Sequence, residues 1–195
     1  SSRTFDIWEV NGNLAFANYF SAGIDARIAH DFNQDRKEGK ISSNSVVANK
    51  MHYVKRFFAD RNYFLQNGKL SYTEVDGKIK TLDVSGFRTV IVGNIPSFAS
   101  GANPFYCADM SDKILEIVCA PNLLAFLGAI AIGNIPFLGH LYKKCFLHSY
   151  KATSLELEVL PSEYLQLDGE DLTGQGVEKV SIRYGYQVQM LALGG

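Results

Sequence analysis

The chain is poor in cysteine: Cys107, Cys119 and Cys145 are the only three in 195 residues, and they form no Cys-x-x-Cys pair. No Asn-x-Ser/Thr acceptor occurs either. Both absences point to a reducing, cytosolic compartment. The opening Ser1-Ser2-Arg3-Thr4-Phe5-Asp6 lacks the apolar stretch of a secretory signal. The missing initiator Met predicts a piece of something longer. Excess charge is also lacking, since 19 basic against 20 acidic residues leave a net charge of -1. That excludes a global positive field for nucleic acid, and no nucleic-acid partner is expected. There is no long hydrophobic run. Leu123 to Gly139 comes nearest, but Asn134 and Pro136 interrupt it and Gly128, Gly133 and Gly139 dilute it. It is too short and broken for a membrane span, and reads as a buried helix or strand pair, or as a surface that touches lipid. Linkers, repeats and low-complexity tracts are absent, so residues 1–195 read as a single domain.

What is present is ordinary for a packed protein, with 47% hydrophobic and 20% charged residues. Residues 13–20 read as an aromatic-rich strand. Ile24, Ile28 and Phe32, with Ala26 and Ala29 between them, predict a helix from Asp25 to Glu38 that Gly39 stops. Val47, Met51, Val54, Phe58 and Leu65 form the stripe of a second helix, Val47 to Tyr63. Everything downstream reads as β-structure. Asp76-Gly77, between Lys69–Val75 and Lys78–Val84, predicts a tight primed turn with positive φ at both central residues. Val90-Ile91-Val92 marks an interior strand, Ile114–Ala120 another, and Leu155, Leu157 and Val159 alternate with polar neighbours. The same alternation runs through Val180, Ile182 and Tyr184, and again through Val188 and Met190. The fold class is therefore mainly β with a few helices: a two-sheet antiparallel β-sandwich with two helices in the N-terminal third.

The familiar nucleophile elbow, dinucleotide turn and phosphate loop do not occur. His30, His52, His140 and His148 show no zinc spacing, and Cys145 with His148 lacks further ligands. Three acidic segments carry more. Asp168-Gly169-Glu170 puts two carboxylates around a glycine at a strand end, where a rigid scaffold can carry a reaching group. The plainer reading is a turn. Asp25 sits at a strand-to-helix junction, which suits helix capping. Asp109 and Asp112 bracket Met110-Ser111; such a loop can hold a hard cation through oxygen, or be a solvated turn. Asn94 to Pro104 ends an interior strand in small and polar residues that let a ligand approach the backbone.

These segments come in a familiar order. Asn18-Tyr19-Phe20-Ser21-Ala22-Gly23-Ile24-Asp25-Ala26, Asn49-Lys50 with Tyr53, Gly93-Asn94-Ile95-Pro96-Ser97 with Gly101 and Asn103, Leu115-Glu116-Ile117-Val118 and Gln166-Leu167-Asp168-Gly169-Glu170 together resemble the eukaryotic diacylglycerol kinase accessory domain. Phe5-Asp6-Ile7-Trp8 is similar to its lead-in. The resemblance implies one half of an enzyme that uses ATP and Mg2+ to convert diacylglycerol into phosphatidic acid. The other half, a nucleotide-binding domain of the same protein with a Gly-Gly-Asp-Gly-Thr loop, is the implied partner, and Gly-Gly-Asp-Gly does not occur here. The fragment alone is therefore expected to be inactive and to need no cofactor itself. By resemblance, Glu170 is the general base and Asp168 supports it. Asp25, Asn94 and Ser97 bind substrate, and Asp109 and Asp112 fall near a magnesium loop of bacterial relatives. The implied location is cytoplasmic and peripheral to the membrane holding the diacylglycerol. Leu123–Tyr142 followed by Lys143 and Lys144 is the candidate contact. Departures from the pattern include Lys113 for a glycine, which predicts a different bend, Asp171 for a proline, Leu172 for a tryptophan, Pro104-Phe105 for Leu-Trp and His140 for a glutamine. A sphingosine- or ceramide-type kinase half, and a non-catalytic lipid- or protein-binding sandwich, are the alternatives.

Overall fold

Strict alternation decides how the strands stack. Ser154–Val159 buries Leu155, Leu157 and Val159 and leaves Glu156 and Glu158 in solvent, so one face of its sheet is wet. Thr89–Gly93 and Leu115–Ala120 are buried at every position, so their sheet must be covered on both faces. The computed structural model describes residues 2–39, 55, 56, 58–98 and 102–191, and it has these layers. One sheet, in the order β2-β1-β12-β9-β4-β5, consists of β1 (Ser2–Val10), β2 (Leu14–Phe16), β4 (Gly68–Thr73), β5 (Ile79–Asp83), β9 (Ser154–Val159) and β12 (Lys179–Leu191). The other, in the order β11-β10-β3-β6-β7-β8, consists of β3 (Tyr19–Gly23), β6 (Thr89–Gly93), β7 (Leu115–Ala120), β8 (His148–Ala152), β10 (Leu165–Leu167) and β11 (Glu170–Asp171). All strand pairs are antiparallel.

Between the sheets, Trp8, Phe16 and Leu157 meet Phe20, Val90, Val92 and Ile117 in one core. On the far face of the second sheet, Ile91, Val118 and Ala120 pack against α1 (Ile24–Lys37) and α2 (Leu123–Ile132) through Ile24, Ile28, Phe126 and Ala129. A further helix, α3 (Leu138–Phe146), follows. The mainly-β, two-sheet antiparallel fold stands as the sequence implied.

Of three local readings, one falls largely outside the described residues and two change. The second expected helix, with Asn49, Lys50, His52 and Tyr53, lies largely outside the described residues, as does Gly101; Lys55, Arg56, Phe58 and Ala59 are helical. The downstream region is not all β, because α2 and α3 interrupt it. The α2 run of Leu, Ala and Ile has no period of two, and Asn122 caps α2 by accepting the Ala125 N–H at 2.8 Å. The third concerns the two Asp-Gly pairs. At Asp76-Gly77 only Gly77 has positive φ, 84°, and Gly77 N–H donates to Glu74 O at 2.9 Å while Glu74 N–H donates to Lys78 O at 2.8 Å. That is a three-residue loop with glycine in the left-handed position. The primed two-residue turn occurs instead at Asp168-Gly169, where φ is 49° and 91° and Leu167 pairs with Glu170.

Candidate functional site

The β10–β11 hairpin is only a few residues long and lies at a sheet edge, so something must hold it. Asp168 does. Its Oδ1 accepts the N–H groups of Asn18 at 3.0 Å and Tyr19 at 2.8 Å, and its Oδ2 accepts that of Ala17 at 2.9 Å. Asp168 N–H returns a bond to Tyr19 O at 2.9 Å. A carboxylate can satisfy several convergent donors at once, which a turn in solvent would not need. Gly169 then has no Cβ where φ is 91°, and Glu170 follows, exposed.

Beneath the turn lies a buried polar chain. Gly169 N–H donates to Gln166 Oε1 at 2.8 Å. Gln166 Nε2 donates to Ser21 Oγ at 2.9 Å and reaches Asp25 Oδ2 at 3.4 Å, and Ser21 Oγ donates to the same Asp25 oxygen at 2.6 Å. Asp25 is 2% exposed and lies in the first turn of α1, where its charge suits the helix dipole. It is not the cap: that position is Gly23, with φ 99°, whose missing Cβ would sit 2.5 Å from Arg88 O. Burial pushes the Tyr19 phenol well above its ordinary value, and the charges of Asp25 and Asp168 add to that against the Gln166 hydrogen bond. On the open side of α1, His30 Nδ1 meets Asp171 Oδ2 at 2.5 Å and Asn33 Nδ2 donates to Gly169 O at 3.5 Å. Burial raises the Asp171 carboxyl, but bonds from Thr173 and His30 outweigh it and hold the group below its usual range. Glu170 thus stands on a turn fixed from below by Gln166 and from the side by α1.

A second group flanks this one. Arg27 of α1 lies over the rings of Tyr63 and Tyr164, 5.0 and 5.3 Å from their centroids. Glu163, 5% exposed, accepts from Tyr63 Oη and, at 2.9 Å, from Tyr164 N–H. Burial pushes its carboxyl up to about 7, with Tyr164 N–H and Arg27 opposing.

Residues 15–171 match the sequence model of the diacylglycerol kinase accessory domain. The chain belongs to this family. Human diacylglycerol kinase kappa is 30% identical over 188 residues, which are 89% of this chain and 14% of that protein. Mouse diacylglycerol kinase iota is 26% identical over 165 residues, 75% of this chain and 15% of that protein. The chain therefore spans about a seventh of these relatives. A crystal structure of a diacylglycerol kinase from Bacillus anthracis str. Sterne shares the fold, with TM-score 0.56 and 18% identity over 94% of this chain and 54% of that one. Another from the same strain has TM-score 0.60 and 15% identity, covering 96% and 56%.

In this accessory domain several motif residues turn inward. Asn94 is fully buried; its Oδ1 accepts from Trp8 Nε1 at 2.9 Å and its Nδ2 donates to Asp6 O at 3.0 Å and Ala17 O at 2.8 Å. Both amide hydrogens are engaged, so no donor remains for a lipid, and Asn94 ties β1 to the strand entering the site. Ser97, the fourth residue after the strand, is exposed. Asp109 and Asp112 do not fit a cation cage. Each turns onto a nearby N–H, Asp109 to Ser111 and Asp112 to Ile114, both at 2.9 Å, and no group of three or more His, Cys, Asp or Glu converges as ligands among the described residues. Partial burial raises Asp112, and Asp109 and Asp6 add to the rise against the Ile114 N–H. Lys113 does not rebend the loop: its φ is 58°, the left-handed region glycine favours, and its N–H donates to buried Asp6 Oδ2 at 2.7 Å. Phe105 fills the space over Gly93, where a Cβ would lie 2.1 Å from its ring.

The roles of Gln166, Ser21, His30 and Asp171 were not legible beforehand. Gln166 lay in the same motif as Glu170, a usable signal. The His30–Asp171 pair, 141 residues apart, had none.

Proposed function

We propose that this accessory domain presents diacylglycerol to the γ-phosphate of ATP in a lipid kinase, giving phosphatidic acid. ATP and Mg2+ are held by the nucleotide-binding domain of the same protein, and the metal supplies charge neutralisation on the phosphates. The domain's own part is to seat the lipid and remove its proton. Glu170 takes the hydroxyl proton as that oxygen forms its bond to the γ-phosphorus and ADP departs. Asp168 and Gln166 hold the turn that aims Glu170, with Asp25 anchoring Gln166 from the end of α1. Ser97 lies on a loop open to a headgroup. The single observation carrying this reading is an exposed glutamate on a turn held by Asp168, Gln166 and Asn33. Because diacylglycerol stays in the bilayer, the domain works at the membrane surface; among the described residues no helix is long and apolar enough to cross it.

The test is Glu170→Gln in the longer kinase, assayed with ATP, Mg2+ and diacylglycerol micelles. Turnover should fall about 100-fold or more with the KM for ATP near that of the parent. Near-normal turnover by a folded variant removes Glu170 from the mechanism. The 195-residue chain by itself should form no phosphatidic acid.

A further inference from the structure

The α2–α3 hairpin shows an apolar face to solvent. Its inner side is ordinary: Ala125, Phe126 and Ala129 are buried on the second sheet. Outside stand Leu124, 77% exposed, Phe137 at 83%, Leu138 and Leu141 at 47%, Ile135 at 46% and Phe146 at 53%. Scattered single exposed leucines are common on proteins, but a contiguous set on one short hairpin marks an interaction surface. Phe137 heads α3 with φ 63°, a strained conformation for a bulky residue, and its ring gains no packing inside the protein in return.

The hairpin is braced. Tyr142 Oη donates to Leu124 O at 2.7 Å, and a Cβ on Gly128 would fall 2.1 Å from that hydroxyl, so glycine is what lets the helices meet. Lys143, one of the two lysines expected to face lipid, turns inward instead; it is 5% exposed and its Nζ donates to Phe105 O at 2.5 Å and Asn103 O at 3.2 Å. Burial lowers its pKa, against the charges of Cys107 and Glu116. Lys144 remains exposed.

Charge selects the occupant. The chain has 20 acidic residues, yet none lies between Glu116 and Glu156; of the lysines in that stretch, Lys143 is buried, Lys151 pairs with Glu116 at 3.4 Å and Lys144 is exposed. An apolar face with exposed Lys144 beside it and no carboxylate on its own two helices is complementary to an anionic bilayer, whose hydrocarbon takes the side chains and whose headgroups attract that lysine. We propose that the outer face of α2–α3 inserts into anionic membranes with Phe137 as its leading side chain. This deepens the lipid-kinase reading, from which it takes only the expectation that the domain meets a bilayer.

The test is co-sedimentation of the 195-residue chain with phosphatidylcholine vesicles, with and without about a third phosphatidylserine. The chain should bind the mixed vesicles more tightly. Phe137→Ser with Leu141→Ser should weaken binding about 100-fold, roughly tenfold per side chain, with an unchanged circular dichroism spectrum and melting temperature. Leu124→Ser, on the other helix, provides a second reading should the double variant misfold. Lys144→Gln should weaken binding to the mixed vesicles about fivefold and leave pure phosphatidylcholine binding almost unchanged. Glu170→Gln should bind like the parent, so loss of catalysis and loss of binding are separable. Failure of the parent to sediment with either vesicle overturns the proposal, as does parental binding by the apolar variants. A dimer that these substitutions dissociate, with vesicle binding intact, would assign the face to a second copy and equally overturn it.

Discussion

Asp168 offers the sharpest test of whether the site is held together as described. Its carboxylate accepts three backbone N–H groups, from Ala17, Asn18 and Tyr19, at 2.8–3.0 Å, across 149 to 151 residues of sequence. A hydrogen bond to a charged group contributes about 1.5–3 kcal/mol in a protected setting. Here water can replace the acceptor, because Asp168 is exposed, so about 0.5–1 kcal/mol each is the reasonable share, or about 2–3 kcal/mol in all. The backbone adds a second effect. With φ at 49°, alanine is strained by about 1 kcal/mol where Asp and Asn are tolerated and glycine is relaxed. Asp168→Ala should therefore destabilise the chain by about 3–4 kcal/mol, Asp168→Gly by about 2–3 and Asp168→Asn, which keeps one acceptor oxygen, by about 1–2. Urea unfolding can follow all three through Trp8, the one tryptophan, which is fully buried. An alanine variant within about 0.5 kcal/mol of the parent, or the reverse order of the three, would refute the clasp.

Other substitutions test separate joints. Asn94→Ala strands the Trp8 N–H, the buried Asp6 carbonyl and the partly buried Ala17 carbonyl, and should lower stability by about 2–4 kcal/mol with a shifted Trp8 emission; a neutral result would mean that water enters and replaces the amide. Gly23→Ala places a methyl 2.5 Å from Arg88 O at a φ of 99°, and should cost about 3 kcal/mol or more in urea unfolding; tolerance would show that the β3–α1 junction can shift. Glu163 tests linkage. Its carboxyl, at about 7 when folded against an ordinary 4.5, keeps its proton after the unfolded chain has released one. Its contribution to stability is thus fully present below about 4.5 and is lost as pH rises through about 7. Glu163→Gln stays neutral throughout, so above pH 7 it should exceed the parent by about 2–3 kcal/mol, while parallel stability–pH curves would show that Glu163 ionises freely.

Much of the fold was legible because burial imposes a period of two on any strand with one wet face. Leu155, Leu157 and Val159 displayed it, and Val90-Ile91-Val92 displayed its absence where both faces are covered. The α2 run reads as a buried helix or strand pair without a choice between them, since a uniformly apolar run has no period to read. The Asp-Gly pairs show a subtler limit. Both permit a primed turn, and loop length in the folded ladder decides which adopts one: Leu167 pairs directly with Glu170, whereas Glu74 bonds to Lys78.

Residue types and motif order alone were enough to single out Asp25, Asn94, Asp168 and Glu170 as candidates and to indicate the family. Their division of labour was not. Whether a carboxylate meets solvent or an N–H group 150 residues away depends on strand order and on which faces are covered, and these are properties of the assembled sheets. Local preference is written in short segments of chain. The long-range hydrogen bonds that make Asp168 a clasp, Asn94 a tie and Glu170 a free end exist only once those segments are packed.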